Sequence, residues 1–263
     1  MTNRLICSAA CVLFSVLVVA SVRAQPPAEI VSDRDNTLYE DATGAVSNGA
    51  GDWFFSGRTA KGAIRRGLFR FDIAGNVPAG STINSVSVTL NMDKTTSGLQ
   101  TIDLHRVPAD WGEGTSDALG QEGSGAVSTP GDATWIHTFF NTNTWTNVGG
   151  DFDPTASASQ NVGGTGPYTW ASTAQMVTDV QDWLDNPGNN FGWILIGNET
   201  VFTTSKRFHS RTNIAPPTLI VKFSEPVATI PTMTEWAMIA MIGLVLVAAV
   251  WGLRRRRAGH VAA

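Results

Sequence analysis

Ten consecutive residues, Ile83 to Met92 (INSVSVTLNM), alternate between the two faces of an extended chain. Val86, Val88, Leu90 and Met92 fall on one side, and Ser85, Ser87, Thr89 and Asn91 on the other. Side chains repeat every two residues in a strand and every 3.6 in a helix, so this pattern predicts a strand with one buried and one wet face. Phe69, Phe71 and Ile73 alternate with Arg70 and Asp72 in the same way, and Pro78-Ala79-Gly80 supplies the turn between the two strands. Ile102 and Leu104 alternate with Asp103 and His105. Leu219, Val221 and Phe223 repeat the pattern after a Pro216-Pro217 break. Trp193 to Ile196 is apolar at every position, as expected of a strand covered on both faces.

Turn-forming Gly, Ser, Thr and Asn recur about every ten residues, a spacing that favours an antiparallel sandwich over a helical or βαβ fold. One stretch departs from it. In STAQMVTDVQDWLDNPG, Met176, Val177, Val180, Trp183 and Leu184 lie on one helical stripe. Ser172 with Gln175 has capping-box spacing, and Pro187-Gly188 ends the run. The expectation is an all-β sandwich with one short helix. No internal repeat is visible, so residues 25–229 read as one domain of about 205 residues.

The ends read as export and membrane signals. Arg4, the apolar stretch Leu5 to Val19 and Val22-Arg23-Ala24 have the order of a signal peptide cleaved after residue 24; an uncleaved anchor helix is the alternative. Trp236 to Leu253 is 18 residues without a charge, followed at once by Arg254 to Arg257. At about 1.5 Å per residue that stretch covers most of a ~30 Å hydrocarbon core. The arginines would keep the 258–263 tail cytoplasmic and everything before Glu235 outside. Both cysteines, Cys7 and Cys11, lie inside the signal, so the exported chain has no thiol for a disulfide.

Residues 25–229 carry 12 Lys and Arg against 21 Asp and Glu, a balance of −9. That charge argues against nucleic acid or anionic lipid as a general partner. Two basic clusters stand out locally: Arg58, Lys61, Arg65 and Arg66, and then Lys206, Arg207, His209 and Arg211. Brought together they would form a groove for uronate carboxylates; kept apart they would guard strand edges. Trp53, Trp111, Trp135, Trp145 and Trp170 sit in turn-rich stretches, either as sugar platforms or as packing under loops, whereas Trp183 and Trp193 read as core. Asp33, Asp35, Asp151 and Asp153 have the Asp-x-Asp spacing that structural calcium favours, and the same residues are ordinary turn formers. His105, His137 and His209 are scattered, and no Gly-x-Ser-x-Gly elbow occurs, so no catalytic constellation is expected.

Several motifs together resemble a known family. RGLFRFDIAGNVPAGSTINSVSVTL, LHRVPADWGEG, ATW at 133–135, WTNVGGDFDP, DVQDWLDNPGNNFGWILIGNE and FHSRTN followed by PPTLIVKF are similar, in order, to the DNRLRE-type domain, which is related to carbohydrate-binding module family 96. The resemblance spans residues 31–223, with GQEGSGAVSTPG (Gly120 to Gly131) as a loop expansion. It implies a jelly-roll-like sandwich that binds polysaccharide, alginate among its relatives' ligands. The alternatives are a structural surface or matrix protein and a polysaccharide-degrading enzyme. IPTMTEWAMIAMIGLVLVAAVWGLRRRR resembles the IPTL-CTERM sorting signal, with Met233 and Ala237 where that pattern has Leu and Gly. Ile230, Pro231, Thr232, Met233, Glu235 and Trp236 hold its motif positions. This second resemblance implies a Gram-negative cell, processing by a membrane enzyme of the exosortase or archaeosortase kind, and a destination at the cell surface or extracellular matrix. A permanent single-span anchor is the plain alternative.

Overall fold

The computed structural model describes residues 25–226 and 233–258, with side chains of the second segment described from Trp236 to Trp251. The expected signal peptide and Ile230 to Thr232 of the sorting motif lie outside these residues. The chain divides after Ser224 into two compact units.

In the first unit the strands run in chain order as β1 (Ala28–Val31), β2 (Arg34–Tyr39), β3 (Val46–Ser47), β4 (Trp53–Arg58), β5 (Ile64–Arg70), β6 (Thr82–Thr95), β7 (Gln100–Arg106) and β8 (Ala126–Val127). They continue as β9 (His137–Phe139), β10 (Asn143–Thr144), β11 (Ala156–Val162), β12 (Gly166–Trp170), β13 (Trp193–Ile196), β14 (Lys206–His209) and β15 (Thr218–Ser224). Helix α1 (Ala174–Asp185) and a 3-10 turn (Pro187–Asn189) lie between β12 and β13. Eleven strands form one curled sheet in the order β1-β15-β6-β14-β4-β5-β13-β7-β11, with β12 added to β6 and β2 to β5. Every pairing between strands is antiparallel.

The curl has an identifiable corner. Trp53 to Ser56 of β4 pair with β14, whereas Gly57 and Arg58 pair with β5. Gly57 has φ +103°, and a Cβ there would lie 2.9 Å from the Thr204 carbonyl oxygen, so only glycine fits where β4 leaves one half of the sheet for the other. The two halves share one apolar core. Phe54 sits 5.7 Å from Phe208 and 5.9 Å from Phe69, joining the β14 side to the β5 side. Val86, Val88, Leu90 and Met92 of β6 are buried in that core, as the alternation requires. The molecule is thus mostly antiparallel β, consistent with a β-sandwich.

α1 covers one flank of this core with Met176, Val180, Trp183 and Leu184 buried, and Trp183 meets Trp193 at 4.6 Å. The cap differs from the sequence expectation. Thr173, not Ser172, accepts the Met176 N–H, at 3.0 Å. The Ser172 hydroxyl is occupied instead as acceptor for the Val86 N–H of β6. Gln175 turns to Asp179 rather than back to the cap.

A second apolar cluster lies on the outer face of β5 and β13, where Leu68 and Ile194 pack against Leu38, Val107, Trp111, Ala133, Trp135 and Trp145. The long 107–152 connection therefore folds back over the sheet. Trp193 and Leu195 enter the inner core while Ile194 enters the outer one, which is why β13 is apolar throughout. The same covering buries His105, expected to face water: its Nδ1 lies 2.8 Å from the Asp153 carbonyl and its ring 5.2 Å from Phe152.

The second unit is helix α2 (Met233–Ala258). Its described side chains are exposed. Among the described residues no helix is long and apolar enough to cross a membrane. The expected span, 236–253, falls within α2, with the side chains of Gly252 and Leu253 outside those described.

Candidate functional site

The two basic clusters reach neighbouring strands, but the structure does not make them a groove. Arg66 forms a two-pronged pair with Glu199, both bonds 2.8 Å, and donates to the Gly149 carbonyl. Arg207 grips Asp93 at 2.8 and 2.7 Å with its guanidinium 3.8 Å above the Trp53 ring. Arg211 holds Glu113 at 2.5 and 2.7 Å, and that bonding pushes its pKa up. Arg65 is buried over the Tyr39 ring and donates to the Gly123 carbonyl; burial lowers its pKa. Lys206 is fully buried, and its ammonium donates to the carbonyls of Ser97, Gly98 and Gly163 at 3.2, 2.7 and 2.7 Å. These five cations tie the fold together, a correction to the groove expectation. Each one's charge is met inside the protein.

The tryptophans divide in the same direction. Trp111, Trp135, Trp145 and Trp170 are buried. The indole N–H donates to the Phe191 carbonyl from Trp111, to Thr134 from Trp145 and to Ile102 from Trp170. Trp111, Trp135 and Trp145 pack beneath the connection that covers the outer face of the sheet, and Trp170 lies in the inner core, so Trp111 and Trp145 are corrected from ligand platforms to packing. Trp53 is half-buried with one face beneath Arg207.

Nor do the four aspartates converge. Asp33 pairs with Arg70 at 2.5 Å, Asp151 accepts the N–H groups of Thr146 and Asn147, and Asp153 accepts that of Thr155. Asp35 is buried, and desolvation pushes its carboxyl up to about 8 despite the Arg211 N–H bonded to it at 2.6 Å. Among the described residues no group of three or more His, Cys, Asp or Glu could hold a metal ion. The Gly120 to Gly131 stretch is not a plain loop expansion either. Glu122, at φ +58°, turns inward and accepts from Asn48 and from the N–H groups of Asp52 and Trp53.

What stays open is Arg58, Lys61 and a residue the sequence reading passed over. Phe202 is 57% exposed in the loop between β13 and β14. Asn198 Oδ1 shapes this loop by accepting from the backbone N–H groups of Thr200 and Val201. Thr203 is held at φ +63°, a region that β-branched residues avoid. The Arg58 guanidinium lies 4.4 Å from the Phe202 ring and is fixed by the Gly62 and Glu199 carbonyls. Lys61 stands exposed in the turn beside Gly62. The result is a pre-set aromatic surface backed by positive charge. Its one sequence cue is an aromatic in a polar run, NETVFTTSK, with no alternation to bury it.

The other end of the same half-sheet carries arginines that sequence reasoning also missed. Arg34 starts β2, Arg70 ends β5 and Arg106 ends β7, paired with Asp110, Asp33 and Asp182 respectively. Two clefts flank residues 187–191 there. One, of about 310 Å³, is lined by Asp33, Arg70, Asp72, Ala74, Pro187 and Asn190. The other, of about 390 Å³, is lined by Arg106, Pro108, Phe152, Asp153, Asn189 and Phe191. Both surfaces offer stacking, hydrogen bonding and charge pairing, which is the chemistry of binding. No protein-family model matches the chain, and no curated protein matches it.

Proposed function

We propose that the chain is an exported, non-catalytic module that binds acidic polysaccharide, and that Phe202 with Arg58 and Lys61 is its binding surface. The observation that carries this reading is the exposure of Phe202 on a strained, internally braced loop. A ring held in advance loses little entropy on binding. It presents an apolar face to the C–H groups of a sugar while Lys61 meets a uronate carboxylate. The antiparallel architecture agrees with a jelly-roll domain of the DNRLRE type, and the C-terminal segment is read as a sorting signal of the IPTL-CTERM type. On that reading the chain is tethered at the inner membrane, handed to an exosortase-like enzyme, and placed at the cell surface or in the matrix.

The test is affinity electrophoresis of the full chain in mild detergent against alginate, pectin, cellulose and the host's exopolysaccharide, with calcium and with chelator. Retardation by an acidic glycan, weakened about tenfold by Phe202→Ala and less by Lys61→Ala, supports the reading. Absence of retardation on every glycan would move the function to a structural surface protein. New reducing ends on long incubation would make it a degrading enzyme.

A further inference from the structure

The Arg106–Phe191 cleft lies at the opposite end of β5 and β13 from Phe202. β5 runs from Ile64, paired with Arg58, to Arg70; in β13, Trp193 stands opposite both Phe69 and Arg106. Six residue steps at about 3.3 Å put the two ends roughly 20 Å apart. We infer that this cleft is a second glycan site, that it takes a neutral hexose residue rather than a uronate, and that the module is bivalent.

The cleft has the make-up of a ligand site. Phe152, Phe191 and Pro108 supply apolar walls, and Arg106, Asp153 and Asn189 supply a few directed polar groups. Its parts are fixed beforehand. The Phe191 carbonyl accepts the Trp111 indole N–H, the Asp153 N–H donates to the Arg106 carbonyl, and the Asp153 carbonyl meets His105. Arg106 is braced by Asp182 and sits 5.7 Å from the Trp183 ring. Pro108, Asp153 and Asn189 are exposed, so the mouth is open.

Charge selects the ligand class. Asp182 already meets Arg106, which leaves the exposed Asp153 as the local excess. In the neighbouring cleft Asp33 meets Arg70, leaving the exposed Asp72. A uronate carboxylate would face these like charges in partly desolvated surroundings, a repulsion that no unpaired cation among the described residues lining the two clefts offsets. Sugar hydroxyls donate to carboxylates and accept from guanidinium and amide N–H groups, so a neutral hexose satisfies both kinds of wall. The Phe202 surface has the opposite bias, with Arg58 and Lys61 beside the ring.

The inference rests on the chain being a glycan-binding module, not on which surface binds uronate. The experiment runs the full chain in mild detergent through native gels containing neutral glycans (galactomannan, xyloglucan, a β-1,3-glucan) or alginate. Wild type is expected to be retarded by at least one neutral glycan. Phe191→Ala weakens that retardation about fivefold or more and Asn189→Ala about threefold, with alginate retardation unchanged. Asn189 is exposed, so its variant keeps the fold and serves if Phe191→Ala does not. Phe202→Ala gives the converse pattern, and only wild type co-precipitates a neutral glycan with alginate. No retardation by any neutral glycan, or wild-type retardation of both cleft variants, overturns the second site. A wild type retarded by a neutral glycan but not by alginate overturns the uronate reading of Phe202 and leaves this cleft standing.

Discussion

Asp35→Asn should stabilise the protein, by an amount that grows with pH. Asp35 is 1% exposed, and burial holds its carboxyl at about 8, with the nearby charges of Glu113 and Glu122 adding to the rise. An unfolded aspartate titrates near 3.9. Between those values the folded state binds a proton that the unfolded state does not, so wild-type stability falls as pH rises from about 4 to about 8. At ~1.36 kcal/mol per pH unit the penalty is about 1.5 kcal/mol at pH 5, about 4 at pH 7 and about 5.5 above pH 8. Asparagine keeps a carbonyl oxygen for the Arg211 N–H and has no charge to bury. Glu122, whose carboxyl burial also pushes up, is present in both proteins and cancels in the difference. The assay is urea unfolding of the full chain in mild detergent, followed by tryptophan fluorescence at several pH values. The gain of Asp35→Asn over wild type should climb about 1.4 kcal/mol per unit from pH 5 to 8, then level off. A gain that does not change with pH would refute the claim that Asp35 is carried as the neutral acid.

Lys206→Met strands three carbonyls in a buried junction, and after allowing for relief of the ammonium's own desolvation it should cost about 3 kcal/mol in the same unfolding assay. Arg66→Ala leaves the mostly buried Glu199 carboxylate unpaired and should cost about 2–3 kcal/mol, more than the ~1 kcal/mol ceiling of an exposed pair, while Phe202-dependent glycan retardation persists below the new melting temperature. Thr203→Gly relieves a left-handed β-branched residue and should raise stability by about 1 kcal/mol net of glycine's extra chain entropy; a loss would mean that the strain is not where φ places it.

The strands that form the core were legible because alternation is a local property. Val86 to Met92 and the all-apolar Trp193 to Leu195 reported their burial directly. The helix was legible to within one residue, and the error is instructive. Ser172 and Thr173 are both good caps, and a hydrogen bond to β6, far away in sequence, takes Ser172 out of competition. The site was much less legible. Charge can be read from a sequence, but the partner that cancels it cannot: Glu199 is 133 residues from Arg66, Asp93 is 114 from Arg207 and Glu113 is 98 from Arg211. The tryptophans misled for a related reason, since a turn-rich context says nothing of whether the turn lies over water or over the outer face of β13. Phe202 had the converse problem. Its polar run, NETVFTTSK, is a local cue, but such a run alone does not separate an aromatic left exposed from one buried by a distant segment.

Lys206 has a consequence for the surroundings in which such a domain can work. Three carbonyls converging on one positive centre is the arrangement that a bound potassium or sodium ion would otherwise complete, here joining the turn before β7 to the turn between β11 and β12. Because the cation arrives on the chain's own side chain, it has no dissociation constant and cannot be exchanged or chelated. The junction it closes is therefore indifferent to the ionic composition of its surroundings, whether fresh water or brine.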